Sequence, residues 1–255
     1  MKMLSIILAS RLFSLYIKIV EKSRKVMMKM YKYETHLHTY PVSKCGKANV
    51  YENIDFYKHN GYDGIFITNH FLDGNINIDS TTSYEEKIEF YFSDYEEGVK
   101  YGKSIGFKVF SGVELSYNGT DFLVYGLTKE WYLKNPQIMN MKKSEELEYL
   151  MKSGALVIQA HPYREASYID HIRLFPRHVH GIEVINSSRS DFENNMAKIY
   201  AKNYGLLEFA GSDNHRASEH KLLAGMCSET PILDEQDFVE RVKDGKMSVF
   251  KLNIE

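Results

Sequence analysis

His36 and His38 stand two apart in the run Tyr33-Glu-Thr-His-Leu-His-Thr39. In an extended chain, residues i and i+2 project from one face, so both imidazoles point the same way. Two neutral imidazoles held side by side make half of a metal site. Similar residues recur downstream: His70, Glu114, His161, Asp213 and His215, with Asp121 and Cys45 as possible additions. One zinc ion takes three or four protein ligands, so this many groups suggests two or three ions sharing carboxylates. Glu114 and Asp213 are the natural bridges, because a carboxylate offers two oxygens and a neutral imidazole one free nitrogen. Imidazoles with carboxylates suit zinc, manganese or iron better than magnesium. Paired ions about 3.5–4 Å apart clamp the attacking and leaving oxygens of a phosphoryl group and lower the pKa of bound water toward about 7. The expected chemistry is hydrolysis of a phosphate ester by metal-activated water.

These residues need elements that bring them together. Short apolar runs alternate with helical patterns from the first His pair to the C-terminus. Runs at 62–68, 107–115, 121–127, 155–160, 181–185 and 206–210 read as strands. Segments 50–60, 82–105, 144–152, 191–204 and 232–243 read as helices, several stopped by glycine. The alternation predicts one α/β domain with a parallel sheet. Almost every metal-type residue falls just after a strand. In a (β/α) barrel that edge is the active-site face, so scattered residues converge on one mouth. Arg164 follows His161-Pro162 and Arg189 follows the sixth strand, where guanidinium forks could hold phosphate. His178 and His180 are candidates to protonate a leaving alkoxide. Asn186 reads as support for the chain, and His59, His171 and His220 as solvent-facing.

The 255 residues and formal net charge of −2 allow a sizeable core and argue against a general basic field. A small phosphorylated substrate is favoured over a long nucleic acid, with a short oligonucleotide still in range. Cys45 and Cys227 are too few for a disulfide framework, which suits a reducing cytoplasm. Residues 1–29 read as an amphipathic or poorly ordered extension, with attachment to a membrane surface as the alternative. Arg11 and Lys18 break its apolar run, so no membrane span is expected. The compact domain is expected over 30–255.

Six short motifs give the chain a family resemblance. They are His36-Leu-His38-Thr, Gly61-Tyr-Asp-Gly-Ile-Phe-Ile-Thr-Asn-His70, Gly112-Val-Glu114, Ala160-His-Pro162, Gly181-Ile-Glu-Val-Ile-Asn186 and Gly211-Ser-Asp-Asn-His215. In this order the chain resembles the PHP (polymerase and histidinol phosphatase) superfamily of metal-dependent phosphoesterases, over about Tyr33 to His220. The resemblance implies a distorted seven-stranded, TIM-like (β/α) barrel with a trinuclear site at its C-terminal mouth. It assigns His36, His38, His70, Glu114, His161, Asp213 and His215 as ligands. Three positions depart from the family pattern. Asn69 replaces an aspartate, Ser43 or Cys45 stands where a ligand often follows the first His pair, and Asp121 replaces a histidine. Two other readings stay open. The amidohydrolases also begin with His-x-His on a barrel strand, but often use a bridging lysine, and Glu114 takes that place here. The other is a non-catalytic PHP scaffold that binds metal.

Overall fold

The computed structural model describes residues 29–254. The reading of residues 1–29 as an extension thus falls outside the described residues, apart from Lys29. Nine strands form one sheet in the order β7-β6-β5-β4-β3-β2-β1-β8-β9. They are β1 (Tyr31–Glu34), β2 (Gly64–Ile67), β3 (Lys108–Tyr117), β4 (Thr120–Tyr125), β5 (Leu156–Ala160), β6 (Gly181–Asn186), β7 (Leu207–Gly211), β8 (Leu222–Ser228) and β9 (Ser248–Asn253). The helices are α1 (Val50–His59), α2 (Tyr84–Ile105), α3 (Lys129–Lys134), α4 (Lys143–Lys152), α5 (Asp191–Tyr204) and α6 (Glu235–Lys243).

The sheet curls until it nearly closes. Past the end of β1, Leu37 bridges Asn214 beyond β7, and the His38 amide donates to the Asn214 carbonyl at 3.0 Å. The Thr35 hydroxyl bonds the Ala210 carbonyl across the same seam. The expectation of a closed or nearly closed barrel therefore holds, while two details need correction. The sheet has nine strands rather than seven, because β8 and β9 add an antiparallel ribbon beside β1. It is also mixed rather than parallel: β4 runs antiparallel to both β3 and β5. The cause is local. Asn118 and Gly119 both take positive φ, 49° and 82°, and link β3 to β4 as a two-residue hairpin. Such turns match the twist of adjoining antiparallel strands, and Asn-Gly is their strongest sequence signal.

Helix boundaries follow from their caps. Asn49 with Glu52, Ser83 with Glu86, and Ser190 with Glu193 form reciprocal capping boxes at the starts of α1, α2 and α5. Gly106 and Gly205 end α2 and α5 in the left-handed conformation.

Inside the curl lies a mainly aromatic core of Tyr33, Phe66, Phe110, Tyr125 and Phe209, with Phe238 of α6 entering it. The Phe66 ring lies 4.8 Å from Phe110 and 4.3 Å from Phe238, centroid to centroid. This layer forms a closely packed floor beneath the strand ends. The Tyr125 hydroxyl rises from it and donates to the Thr35 carbonyl at 2.5 Å, one residue before His36. Among the described residues, no helix is long and apolar enough to cross a membrane.

Candidate metal centre

The segment after β1 is held on both sides. The Leu37 amide donates to Thr68 Oγ1 at 2.9 Å, and the Thr68 amide to the Leu37 carbonyl at 2.9 Å. Leu37 itself is buried among Val50, Ile54 and Ile67. Its neighbours His36 and His38 therefore turn to the opposite side, into the mouth. Their Nε2 atoms lie 3.3 Å apart. Glu114 comes from within β3 and is fixed beside His70 by a parallel bridge. Asp121 opens β4, and since β4 is reversed, its start rather than its end reaches the mouth. His161 follows β5, and Asp213 and His215 follow β7. His161 and Asp213 both carry positive φ, 24° and 53°. Strained backbone of this kind concentrates at functional sites.

The two carboxylates sit at the centre of the histidines. Glu114 Oε1 lies 3.1 Å from His36 Nε2 and 3.5 Å from His161 Nε2, and Oε2 lies 2.8 Å from His70 Nδ1. Asp213 Oδ1 lies 3.5 Å from His36 Nε2, 3.4 Å from His38 Nε2 and 3.6 Å from His215 Nδ1. Among the described residues, ligand atoms group four ways within 4.8 Å: His36/His38/Glu114, His36/His161/Asp213, Glu114/Asp121/His161, and His38/Cys45/His70/His215. Both Glu114 oxygens, Asp121 Oδ2, His161 Nε2 and His70 Nδ1 are buried yet make no aligned hydrogen bond. Buried polar atoms are normally paired. Donors converging on shared points without hydrogen-bond partners are what cations would satisfy, so these residues fit the divalent metal ions that the motifs imply.

Charge follows the same geometry. Burial opposes ionisation of Glu114, but His70, His36 and His38 outweigh it and hold the carboxyl well below its usual range. Asp213 is depressed likewise, burial being overcome by His36 first and then by His38 and His161. Burial and the nearby His215 and His70 push His38 down to about 3, so it stays neutral and able to ligate. Burial and the Glu114 charge raise Asp121. For the Cys45 thiol, burial opposes ionisation, but hydrogen bonds with His215 and His70 bring it down to about 6.

Supporting residues escaped the sequence reading. Glu183, fully buried on β6, accepts from His36 Nδ1 at 2.8 Å and from the His161 amide at 3.0 Å. This leaves His36 Nε2 for a ligand, the usual carboxylate–histidine–metal arrangement. Asn186 donates to Glu183 Oε2 at 2.9 Å, in keeping with its supporting role. Glu34 Oε1 accepts from the amides of Thr35, His36 and Ser212, tying β1 to β7 beneath the site. Its place two residues before His36 was the available signal, since i and i+2 share a face. Burial lifts the Glu34 carboxyl to about 7.

Asn69 has a clear reason to be an amide. Its Oδ1 accepts from the Thr39 amide at 2.7 Å and from Ser43 Oγ at 2.8 Å. Its Nδ2 donates to Thr39 Oγ1 at 2.8 Å, and that hydroxyl donates onward to Asp94 at 2.6 Å. One hydroxyl proton cannot serve two carboxylates. The negative charge therefore stands on Asp94 of α2, and Asn69 bridges to it.

A cavity of about 370 Å3 opens over the cluster, lined by Cys45, His70, Glu114, Asp121, Arg164, Tyr168, Arg189, Asp213 and His215 among others. Arg164 reaches Asp121 at 3.0 Å and Arg189 reaches Asp213 at 3.4 Å. His178 and His180 are not at this mouth, which corrects their expected placement. They precede β6, so they lie at the N-terminal end of a strand whose C-terminal end carries the site. His180 Nδ1 instead accepts from the Val157 amide at 3.1 Å. His59 and His171 are exposed and His220 is half-buried.

A nearly closed α/β barrel with a carboxylate-bridged histidine cluster at its mouth defines a metal-binding class of protein. A family model described as PHP-associated matches residues 191–247, the segment that contributes α5, β7, Asp213 and His215. A two-domain protein from Bacteroides vulgatus, containing a predicted PHP-like metal-dependent phosphoesterase, shares the fold with a TM-score of 0.65 and 16% identity. The match covers 87% of this chain and 65% of that one, so the chain spans only part of that protein's length. PsfC from Pseudomonas syringae is similar with a TM-score of 0.55 and 16% identity, over 89% and 93% of the two chains. An amidohydrolase from Chromobacterium violaceum, solved with bound sulfate and no metal, gives 0.50 and 14% over 85% and 97%. No curated protein matches the chain. The model match is confined to this C-terminal segment, and the solved structures share the fold of the chain.

Proposed function

We propose that the protein is a hydrolase that uses two or three divalent cations, zinc, manganese or iron, to cleave a phosphate monoester. The observation that carries this reading is the placement of Arg164 and Arg189 on the wall of the cavity that opens over Glu114, Asp213 and the histidines. When bound, the cations would supply electrophilic stabilisation of the phosphoryl oxygens and acidify water. The protein's own residues account for the rest. His36, His38, His70, His161 and His215, with Glu114, Asp121 and Asp213, are the ligands. Glu183 holds the His36 tautomer, and the aromatic floor keeps the strand ends from moving apart. Arg164 and Arg189, each paired with a carboxylate in the cavity wall, are positioned to fork onto a phosphate. A cavity of about 370 Å3 suits a small phosphorylated molecule. A cytoplasmic setting agrees with its two free thiols.

The amidohydrolase reading rests on the shared His-x-His opening and a likeness of fold, and no lysine lines this cavity. The experiment is phosphate release from a generic phosphomonoester by the purified protein with added manganese or zinc, with chelator as control. Chelator-sensitive release is expected. Hydrolysis of an amide panel but of no phosphate ester under any metal would overturn the proposal.

A further inference from the structure

Three of the four ligand groups contain a carboxylate, and the fourth does not. His38, Cys45, His70 and His215 bring three imidazoles and one thiol within 4.8 Å of one another. The rings pack closely, with His38 centroids 4.3 Å from His215 and 4.4 Å from His70. His215 Nδ1 donates to the Asp213 carbonyl at 2.9 Å, which leaves its Nε2 free, and His70 Nδ1 lies 2.8 Å from Glu114 Oε2.

The loop that carries Cys45 is built to hold it there. The Ser43 amide donates to the Thr39 carbonyl at 2.9 Å, Lys44 to Asn75 at 3.0 Å, and Lys47 to His215 at 2.7 Å. Ser43 Oγ also accepts from the His70 amide at 3.1 Å. Next to the cysteine, a Cβ at Gly46 would meet the Thr39 carbonyl carbon at 2.7 Å and its oxygen at 2.9 Å. Only glycine allows the loop to approach the Thr39 backbone so closely.

We propose that Cys45 is a metal ligand, forming with His38, His70 and His215 a thiolate–imidazole subsite distinct in chemistry from the carboxylate-rich subsites beside it. Four donors of this type favour a tetrahedral, borderline-soft cation such as zinc and disfavour magnesium and manganese, which prefer oxygen ligands. The centre is then asymmetric: one position selective for zinc-like ions and neighbours tolerant of harder ones. This inference rests on the metal-dependent reading above and adds the identity of one ligand and the preference of one position.

Cobalt(II) is the probe. The full-length protein is stripped with chelator and titrated with cobalt while its absorption spectrum is followed. A thiolate-to-cobalt charge-transfer band in the near ultraviolet is expected, with visible bands of tetrahedral intensity. Cys45→Ser should lose the charge-transfer band and keep cobalt at the other positions, while Cys227→Ser should leave the spectrum unchanged. Should Cys45→Ser not fold, alkylation of wild type followed by peptide mass spectrometry gives a second reading: zinc should protect Cys45. Cobalt binding without the charge-transfer band, or a band that survives in Cys45→Ser, overturns the cysteine assignment and leaves the proposed function standing. Absence of any cobalt binding overturns both.

Discussion

Gly211 closes β7 against the segment after β1, and its replacement by alanine isolates how tightly the seam sets the site. Its backbone is not in the left-handed region, so the effect is purely steric. A methyl group there would overlap the Cβ of His36, and would lie 3.0 Å from Glu183 Oε1 and 3.1 Å from the His36 amide. All three atoms belong to fully buried residues fixed by hydrogen bonds, so no flexible side-chain end can yield. Relieving the overlap requires His36 and β7 to separate by about 1 Å, at a cost of about 1–3 kcal/mol for overpacking. Displacing a positioning group by about 1 Å lowers turnover by about a hundredfold. Gly211→Ala should therefore lose roughly two orders of magnitude in metal-dependent phosphate release, with a lower melting temperature. Release and thermal denaturation measured on one preparation test both. Wild-type turnover with a wild-type melting temperature would refute the claim that contact across this seam sets the position of His36.

Other perturbations test single links. Glu183→Gln removes the charge behind His36 and should weaken metal affinity by about 10–100-fold, read by competition with a chromophoric chelator; an unchanged affinity would deny Glu183 that role. Asn69→Asp places a second carboxylate on the Thr39–Asp94 network and should cost about 1–3 kcal/mol at neutral pH. Adding Asp94→Asn should recover most of this loss in denaturant melts, and failure to recover would sink the exchanged-charge account. His180 is held down to about 4, from a usual 6.5, by burial and by Lys243. A depressed histidine contributes stability that is complete above about 6.5 and lost as pH falls toward about 4. His180→Gln should flatten that part of the melting-temperature profile, whereas parallel profiles would contradict it.

Much of the cluster was legible because its residues are rare types at strand ends, and the structure brings His36, His38, His70, Glu114, Asp121, His161, Asp213 and His215 to one mouth. Residues that act through another were not. Glu183 lies within a strand that reads as apolar, and only the distance to His36 reveals it. Asp94 looks like one more charge on a long surface helix until Thr39 is found beside it. Strand direction was also hidden, since a strand buried on both faces has the same composition whichever way it runs. The Asn118-Gly119 turn carried that information, and it reverses β4. His178 and His180 were misplaced for a related reason: proximity in sequence to a strand does not say which end of it faces the site. Cys45 was undecidable from sequence because a loop thiol gains meaning only from the rings that surround it.

The seam between β1 and β7 also bears on the order of folding. The hydrogen bond from Thr35 to Ala210 joins residues 175 apart in sequence. Contacts that close so long a loop carry their entropy cost before any reward and belong to the late, slow part of folding. The hairpin of β3 and β4, by contrast, forms from neighbours. His36 and His38 stand on one side of that long-range seam, and Asp213 and His215 on the other. A cation binding both sides would hold the curl closed and slow its opening more than it speeds its formation, making loaded protein kinetically more durable than stripped protein.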